Sequence, residues 1–123
     1  AETRKDTDYI VIPIPLHKKR MRERGFNQAE RIGRAFAKQL GILSAPHVLA
    51  RVKHTKSQVG LSKEERSKNV SEAFRVRDAS ALVGKSIILI DDVYTTGATM
   101  REAASALIAA GAKKVIGVAF AKG

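Results

Sequence analysis

Cysteine is absent from the 123 residues, and so is tryptophan. Without cysteine there are no disulfides and no thiolate-held metal in this sequence. Aromatic residues make up 5%, too few for a strong base-stacking platform of the kind that grips single-stranded nucleic acid. No apolar run approaches the ~20 residues that cross a bilayer, so no membrane insertion is expected. The stretch from Ala1 to Asp8 is polar and lacks an apolar signal-peptide core. Together with the missing cysteines, this makes the cytoplasm the expected location. The other shortage is acidic charge: 12 Asp and Glu stand against 23 Lys and Arg, a formal net charge of +11.

What is present reads as globular. Hydrophobic residues reach 44% and are interrupted throughout by charge. The length suits one domain, 1–123, and is too short for two. A domain of this size buries roughly two-thirds of its unfolded surface, enough for a core without staples. The sequence opens on Ala1 rather than Met, and a fragment of a longer chain is expected. The cationic excess is concentrated. His17 to Arg24 holds five Lys or Arg and one Glu, and Arg51 to Asn69 holds six and two, so each segment carries +4 of the +11. Such segments are either solvated faces or loops that meet polyanions.

Tyr9-Ile10-Val11-Ile12 is apolar and rich in β-branched residues, and Pro13-Ile14-Pro15 closes it; it reads as a buried parallel strand ending at a rigid loop. The basic segment is expected as loop. Asn27 offers a helix N-cap with Glu30 as its capping-box partner. Phe26, Ala29, Ile32, Gly33, Phe36 and Leu40 then follow at helical spacing up to a stop at Gly41. A short strand around Val48 and Leu49 comes next. The polar stretch from Lys53 to Glu72 has no clear period and is long enough to suggest a functional lid or a disordered segment. Ala73 to Val76 returns as a strand, and Val83-Gly84-Lys85 reads as a turn. Ile87 to Ile90 is the clearest buried strand, followed by a helix from Ala98 to Ala110, with Ala103, Ala104, Leu107 and Ile108 on one face and Gly111 at its end. Val115 to Ala121 is the last strand. This alternation predicts an α/β fold with a mostly parallel sheet and helices on its faces.

Ligands of open α/β sheets bind beyond the carboxyl ends of strands, which is where Asp91 to Thr99 falls. Thr95-Thr96-Gly97-Ala98-Thr99 leads into a helix N-terminus, whose backbone N–H groups and dipole favour phosphate. Gly97 permits positive φ, and the Thr hydroxyls can donate to phosphate oxygens. Asp91 and Asp92 suit sugar hydroxyls or waters on Mg²⁺, a cation that prefers oxygen and keeps several waters. An isolated Asp-Asp usually only shapes a loop; strand, paired acids, Thr/Gly turn and helix together point to a ligand.

Ile87 to Thr99 resembles the thirteen-residue signature of type I phosphoribosyltransferases: four apolar residues, two acids and a turn ending Thr-Gly-x-Thr. Pro13-Ile14-Pro15-Leu16-His17, Arg24-Gly25-Phe26-Asn27-Gln28-Ala29, Lys56-Ser57-Gln58, Arg66 with Lys68-Asn69, and Ala73-Phe74 narrow the resemblance to the ComF/ComFC family of competence-associated phosphoribosyltransferase-like proteins. The resemblance implies a type I phosphoribosyltransferase fold, an open, mostly parallel sheet in three layers. It implies that Asp91 and Asp92 contact ribose hydroxyls as catalytic groups, holding Mg²⁺ through water. Tyr94, Thr95, Thr96, Gly97, Ala98 and Thr99 would hold the 5′-phosphate. Leu16, His17, Lys18, Arg20 and Arg24, after the first strand, would meet pyrophosphate. Lys56, Gln58, Arg66 and Asn69 would belong to a flap that closes over the ligand. Two departures stand out. Family members usually carry an N-terminal four-cysteine zinc module, and this sequence has no cysteine. Purine-salvage relatives have an Asp three residues after the acid pair; Thr95 stands there instead, which disfavours a hypoxanthine- or guanine-like acceptor.

Other signals carry less. Gly84-Lys85-Ser86 resembles the end of a P-loop, but Ala79 stands where the first glycine belongs and the tripeptide precedes its strand. His17, His47 and His54 lack metal-set spacing, and no serine sits in a nucleophile elbow. The crowding of Arg20, Arg22 and Arg24 suits bidentate phosphate contact by at least one of them. Two functional readings result. One is an enzyme of the pentosyl glycosyltransferase class in nucleotide metabolism, which passes a phosphoribosyl group to a nitrogen acceptor and releases pyrophosphate. The other is a non-catalytic factor in DNA uptake that binds phosphoribosyl pyrophosphate, single-stranded DNA, or both. A homodimer is a further expectation.

Overall fold

The computed structural model describes residues 8–16, 18–52, 73–92 and 97–120. Its frame is a four-stranded parallel sheet of β1 (Tyr9–Pro13), β2 (Leu43–Ser44), β5 (Ser86–Asp91) and β6 (Lys114–Ala119) in the order β2-β1-β5-β6. The two central strands are the two that read most clearly as buried in sequence. Side chains alternate between the faces of a strand, and here both faces are covered. Ile10, Ile12, Ile87 and Leu89 turn to one core with Ala103 and Leu107 of helix α3 (Ala98–Ala109). Val11 and Ile90 turn to the other with Ala29 and Ala37 of helix α2 (Gln28–Leu40). The sheet is therefore the middle of three layers, as expected.

Helix α2 lies close on the sheet because Gly33 faces it. A Cβ at that position would stand 3.3 Å from Val11 Cγ1 and 3.6 Å from Ile90 Cγ1, so the missing side chain is what allows the approach. Asn27 caps α2 as expected, its Oδ1 accepting from Ala29 N–H at 3.0 Å. The expected capping box does not form: Glu30 pairs instead with Arg34, four residues on, at 2.7 Å. The expected apolar stripe is also shorter at its ends, since Phe26 and Leu40 are exposed. Phe26 packs against the Arg31 guanidinium, 4.9 Å from its ring centroid.

Three expectations are corrected. The basic segment after β1 is not simply a loop: Lys18–Arg24 forms a short helix, α1. Lys, Arg, Glu and Met are all good helix formers, and propensity prevails although no apolar stripe marks the turn. The strand near Val48 does not join the main sheet. Leu43–Ser44 takes the edge beside β1, while β3 (Leu49–Arg51) pairs antiparallel with β4 (Phe74–Val76) in a separate two-stranded sheet. Val48, Leu49 and Phe74 bury their side chains in the α3-side core. The hairpin thus sits on that layer and holds both ends of the segment 53–72, which lies outside the described residues. Ile108, expected on the buried face of α3, is exposed, whereas Ala103 and Leu107 are buried. His47, set aside as a metal ligand, is exposed.

Candidate functional site

The carboxyl ends of the parallel strands line one edge, and backbone bonds tie their exits together. The Ile14 N–H donates to the Ile90 carbonyl at 2.8 Å, extending the β1–β5 ladder beyond Pro13. The Phe120 N–H donates to the Asp91 carbonyl at 3.3 Å, doing the same for β6. Asp91, in register with Ala119, is therefore fixed between the exits of β1 and β6. Asp91 and Asp92 are both half-buried, as suits acids at the lip of a site.

Opposite the acids stands the arm that leaves β1. Ile14 is buried, and Pro15 and Leu16 lead towards α1, whose first turn holds Lys18 and Arg20. At the far end of α1, Arg24 Nη1 lies 3.8 Å from Asp92 Oδ2. That distance is too long for a hydrogen bond and short enough for direct attraction between charges. Of the arginines singled out in sequence, Arg24 lies beside Asp92. An anion entering here would meet a guanidinium already drawn to the acid pair.

On the other side of the acid pair, Gly97 adopts φ 84° and ψ −2° and opens α3. This left-handed conformation favours glycine. Glycine has no side chain of its own with which to cap the helix, and Ala98 and Thr99 stand in its first turn. The dipole at this end is directed at the edge that carries Asp91 and Asp92. Tyr94, Thr95 and Thr96, His17, and the flap residues Lys56, Gln58, Arg66 and Asn69 lie outside the described residues.

Sequence reasoning saw Asn27 only as a cap. Its Nδ2 also donates to the Ile14 carbonyl at 3.1 Å, across thirteen positions, and the residue is buried. The Asn type was visible in sequence; its second partner was not.

Among the described residues no three His, Asp or Glu side chains gather into a metal cage. The donor chemistry of two adjacent carboxylates still fits Mg²⁺, which usually takes one or two carboxylates and completes its shell with water and ligand phosphate. It does not fit a structural zinc site, which needs a closed set of ligands.

A family model described as phosphoribosyl transferase domain matches residues 27–123. Competence protein F of Haemophilus influenzae is 34% identical over 106 residues, covering 85% of this chain and 46% of the relative. Competence protein ComFC of Bacillus subtilis is 36% identical over 106 residues, covering 86% and 41%. The DNA utilization protein YhgH of Salmonella typhi is 34% identical over 105 residues, covering 85% and 45%. The chain thus spans less than half the length of these curated relatives. Among solved structures, glutamine phosphoribosylpyrophosphate amidotransferase from B. subtilis superposes with a TM-score of 0.61 at 20% identity, covering 90% of this chain and 22% of that one. An allosteric regulatory enzyme of purine biosynthesis gives 0.60, also at 20% identity, covering 90% and 21%. At that identity the likeness speaks for the fold, which is the type I phosphoribosyltransferase fold. No helix among the described residues is long and apolar enough to cross a membrane. From the match over 27–123, the sheet order and the signature along β5, the chain belongs to the phosphoribosyl transferase domain family, and within it to the ComF-like proteins.

Proposed function

We propose that this domain binds phosphoribosyl pyrophosphate, or a closely related sugar phosphate, along the carboxyl edge of its sheet and transfers the phosphoribosyl group to a nitrogen acceptor. The observation that carries the reading is the 3.8 Å approach of Arg24, on the arm after β1, to Asp92 at the end of β5. A pyrophosphate-type ligand needs both signs of charge within a few ångströms: acids for ribose hydroxyls and cation-bound water, and a guanidinium for phosphate oxygens. Asp91 and Asp92 would hold the ribose hydroxyls and the waters of Mg²⁺. Gly97, Ala98 and Thr99, with Tyr94, Thr95 and Thr96 before them, would cradle the 5′-phosphate at the start of α3. Leu16, His17, Lys18, Arg20 and Arg24 would face the pyrophosphate, and Lys56, Gln58, Arg66 and Asn69 would close over it.

In the reaction, a nitrogen lone pair forms the new bond to the anomeric carbon while the carbon–oxygen bond to pyrophosphate breaks. The leaving oxygen takes the bonding pair, and the acceptor's proton is released to solvent. Bound Mg²⁺ would neutralise the charge growing on pyrophosphate. The protein's part is positioning and preorganised charge: the acids fix the ribose, and the arginine arm stabilises the departing pyrophosphate.

A second reading rests on the relatives named competence proteins and DNA utilization protein and on the net charge of +11. It is a non-catalytic factor that binds the same sugar phosphate, single-stranded DNA, or both. Calorimetric titration with phosphoribosyl pyrophosphate and Mg²⁺, followed by pyrophosphate release with a panel of nitrogen bases, separates the readings. Binding with release supports transfer; binding without release by any base supports the accessory factor. No binding refutes the sugar-phosphate site.

A further inference from the structure

We infer that Asn27 is a positioning residue whose carboxamide holds the arginine arm in register with the acid pair, setting the affinity for pyrophosphate without touching it. The inference rests on the sugar-phosphate reading for its ligand and on the fold alone for its mechanics.

An N-cap needs one side-chain acceptor, which Ser, Thr or Asp supplies as well as Asn. The Oδ1 of Asn27 meets that need at the Ala29 N–H. Its Nδ2 bond to the Ile14 carbonyl is additional to capping. The two partners fix the amide's orientation, because one can only donate and the other can only accept. With Asn27 8% exposed, both bonds are shielded from water.

Ile14 is held from the other side as well, through its own N–H to the Ile90 carbonyl, and Ile90 directly precedes Asp91. A continuous path, Asn27 to Ile14 to Ile90, therefore connects the far end of the arm to the base of the acid pair. The arm between Ile14 and Asn27 carries α1 and, three residues before Asn27, Arg24. Packing does little to hold that end: every residue from Met21 to Phe26 is exposed. The Arg24–Asp92 pair is long and partly solvated, which makes it too weak to serve as the anchor. The carboxamide closes the neck of the arm and so fixes where Arg24 can stand.

Asn27→Ser keeps a capping hydroxyl but is too short to reach the Ile14 carbonyl. Asn27→Asp keeps shape and cap but turns an acceptor towards that carbonyl. In the ligand-free protein, amide exchange over Met21 to Phe26 should quicken severalfold in both variants, while exchange in α2 beyond its first turn stays as in the parent. Affinity for phosphoribosyl pyrophosphate with Mg²⁺ should fall about tenfold, the scale of one shielded hydrogen bond, while ribose 5-phosphate, which needs only the acids and the phosphate turn, binds as before. Equal losses for both ligands, or loss of α2 protection in both variants, would reduce Asn27 to a structural cap and overturn the inference. So would unchanged exchange across Met21 to Phe26. If the parent protein binds neither ligand, the sugar-phosphate reading fails, and the exchange data alone decide whether Asn27 holds the arm.

Discussion

Arg24→Ala should separate folding from binding. In the folded protein its guanidinium lies 3.8 Å from the Asp92 carboxylate, and the two side chains are 43% and 25% exposed. Coulomb's law at that distance gives about 1 kcal/mol in water and several times more in a shielded site. With Arg24 nearly half exposed the lower end applies, and exposed pairs typically contribute about 0–1 kcal/mol. For a domain of this size that moves Tm by roughly 4 °C at most. Binding should respond differently. If Arg24 meets pyrophosphate, its removal deletes a charged hydrogen bond worth roughly 1.5–3 kcal/mol, or about 10- to 150-fold in Kd. Thermal melts and calorimetry with phosphoribosyl pyrophosphate and Mg²⁺ measure the two quantities on one sample. Arg24→Lys should recover part of the binding, since it keeps the charge but not the planar fork. An unchanged Kd in Arg24→Ala would remove the arm from the site. A fall in Tm well beyond that range would show that the residue serves the fold.

Asp91→Asn combined with Asp92→Asn should weaken the same ligand by at least tenfold with little change in the melting of the ligand-free protein; an unchanged Kd would refute the ribose assignment. Gly97→Val places a β-branched residue at φ 84° and should abolish binding of ribose 5-phosphate, so normal binding by the folded variant would rule out the phosphate cradle. Hydrogen exchange across Lys56 to Asn69 should slow when the Mg²⁺ complex forms, and equal exchange with and without ligand would show that this segment does not close. Single-stranded DNA should bind weakly, with a log–log salt slope of about −0.7 per phosphate contacted, and saturating phosphoribosyl pyrophosphate should displace it. DNA binding indifferent to the sugar phosphate would assign the cationic charge to a generic solvated face.

The sequence was most informative where one physical signal dominated. Buried parallel strands need apolar residues on both faces, so Tyr9 to Ile12 and Ile87 to Ile90 could be read directly. Asn27 and Gly41 marked the ends of α2 through local chemistry. The edge strand at Leu43–Ser44 is too short to show a period, and the β3–β4 pairing depends on residues far apart in the chain. Helix α1 offers only Met21 as an apolar residue, so a pattern search passes over it; the run of good helix formers ending at Gly25 was the available signal. At the site, the acid pair and the glycine turn could be read because they are contiguous. The approach of Arg24 to Asp92, and the second bond of Asn27, arise only when β1 and β5 come side by side.

The β3–β4 hairpin has a consequence for how such a domain can change. Arg51 is in register with Phe74, and the Val52 N–H donates to the Ala73 carbonyl at 2.9 Å, so the entry and exit of residues 53–72 are clamped together by the core. Once the ends are joined, closure entropy varies only with the logarithm of length, about 0.6 kcal/mol for each doubling. Insertions, deletions or wholesale replacement between Val52 and Ala73 therefore cost the core very little. The domain can exchange this stretch as a cassette while Asp91, Asp92 and the sheet beneath them stay fixed.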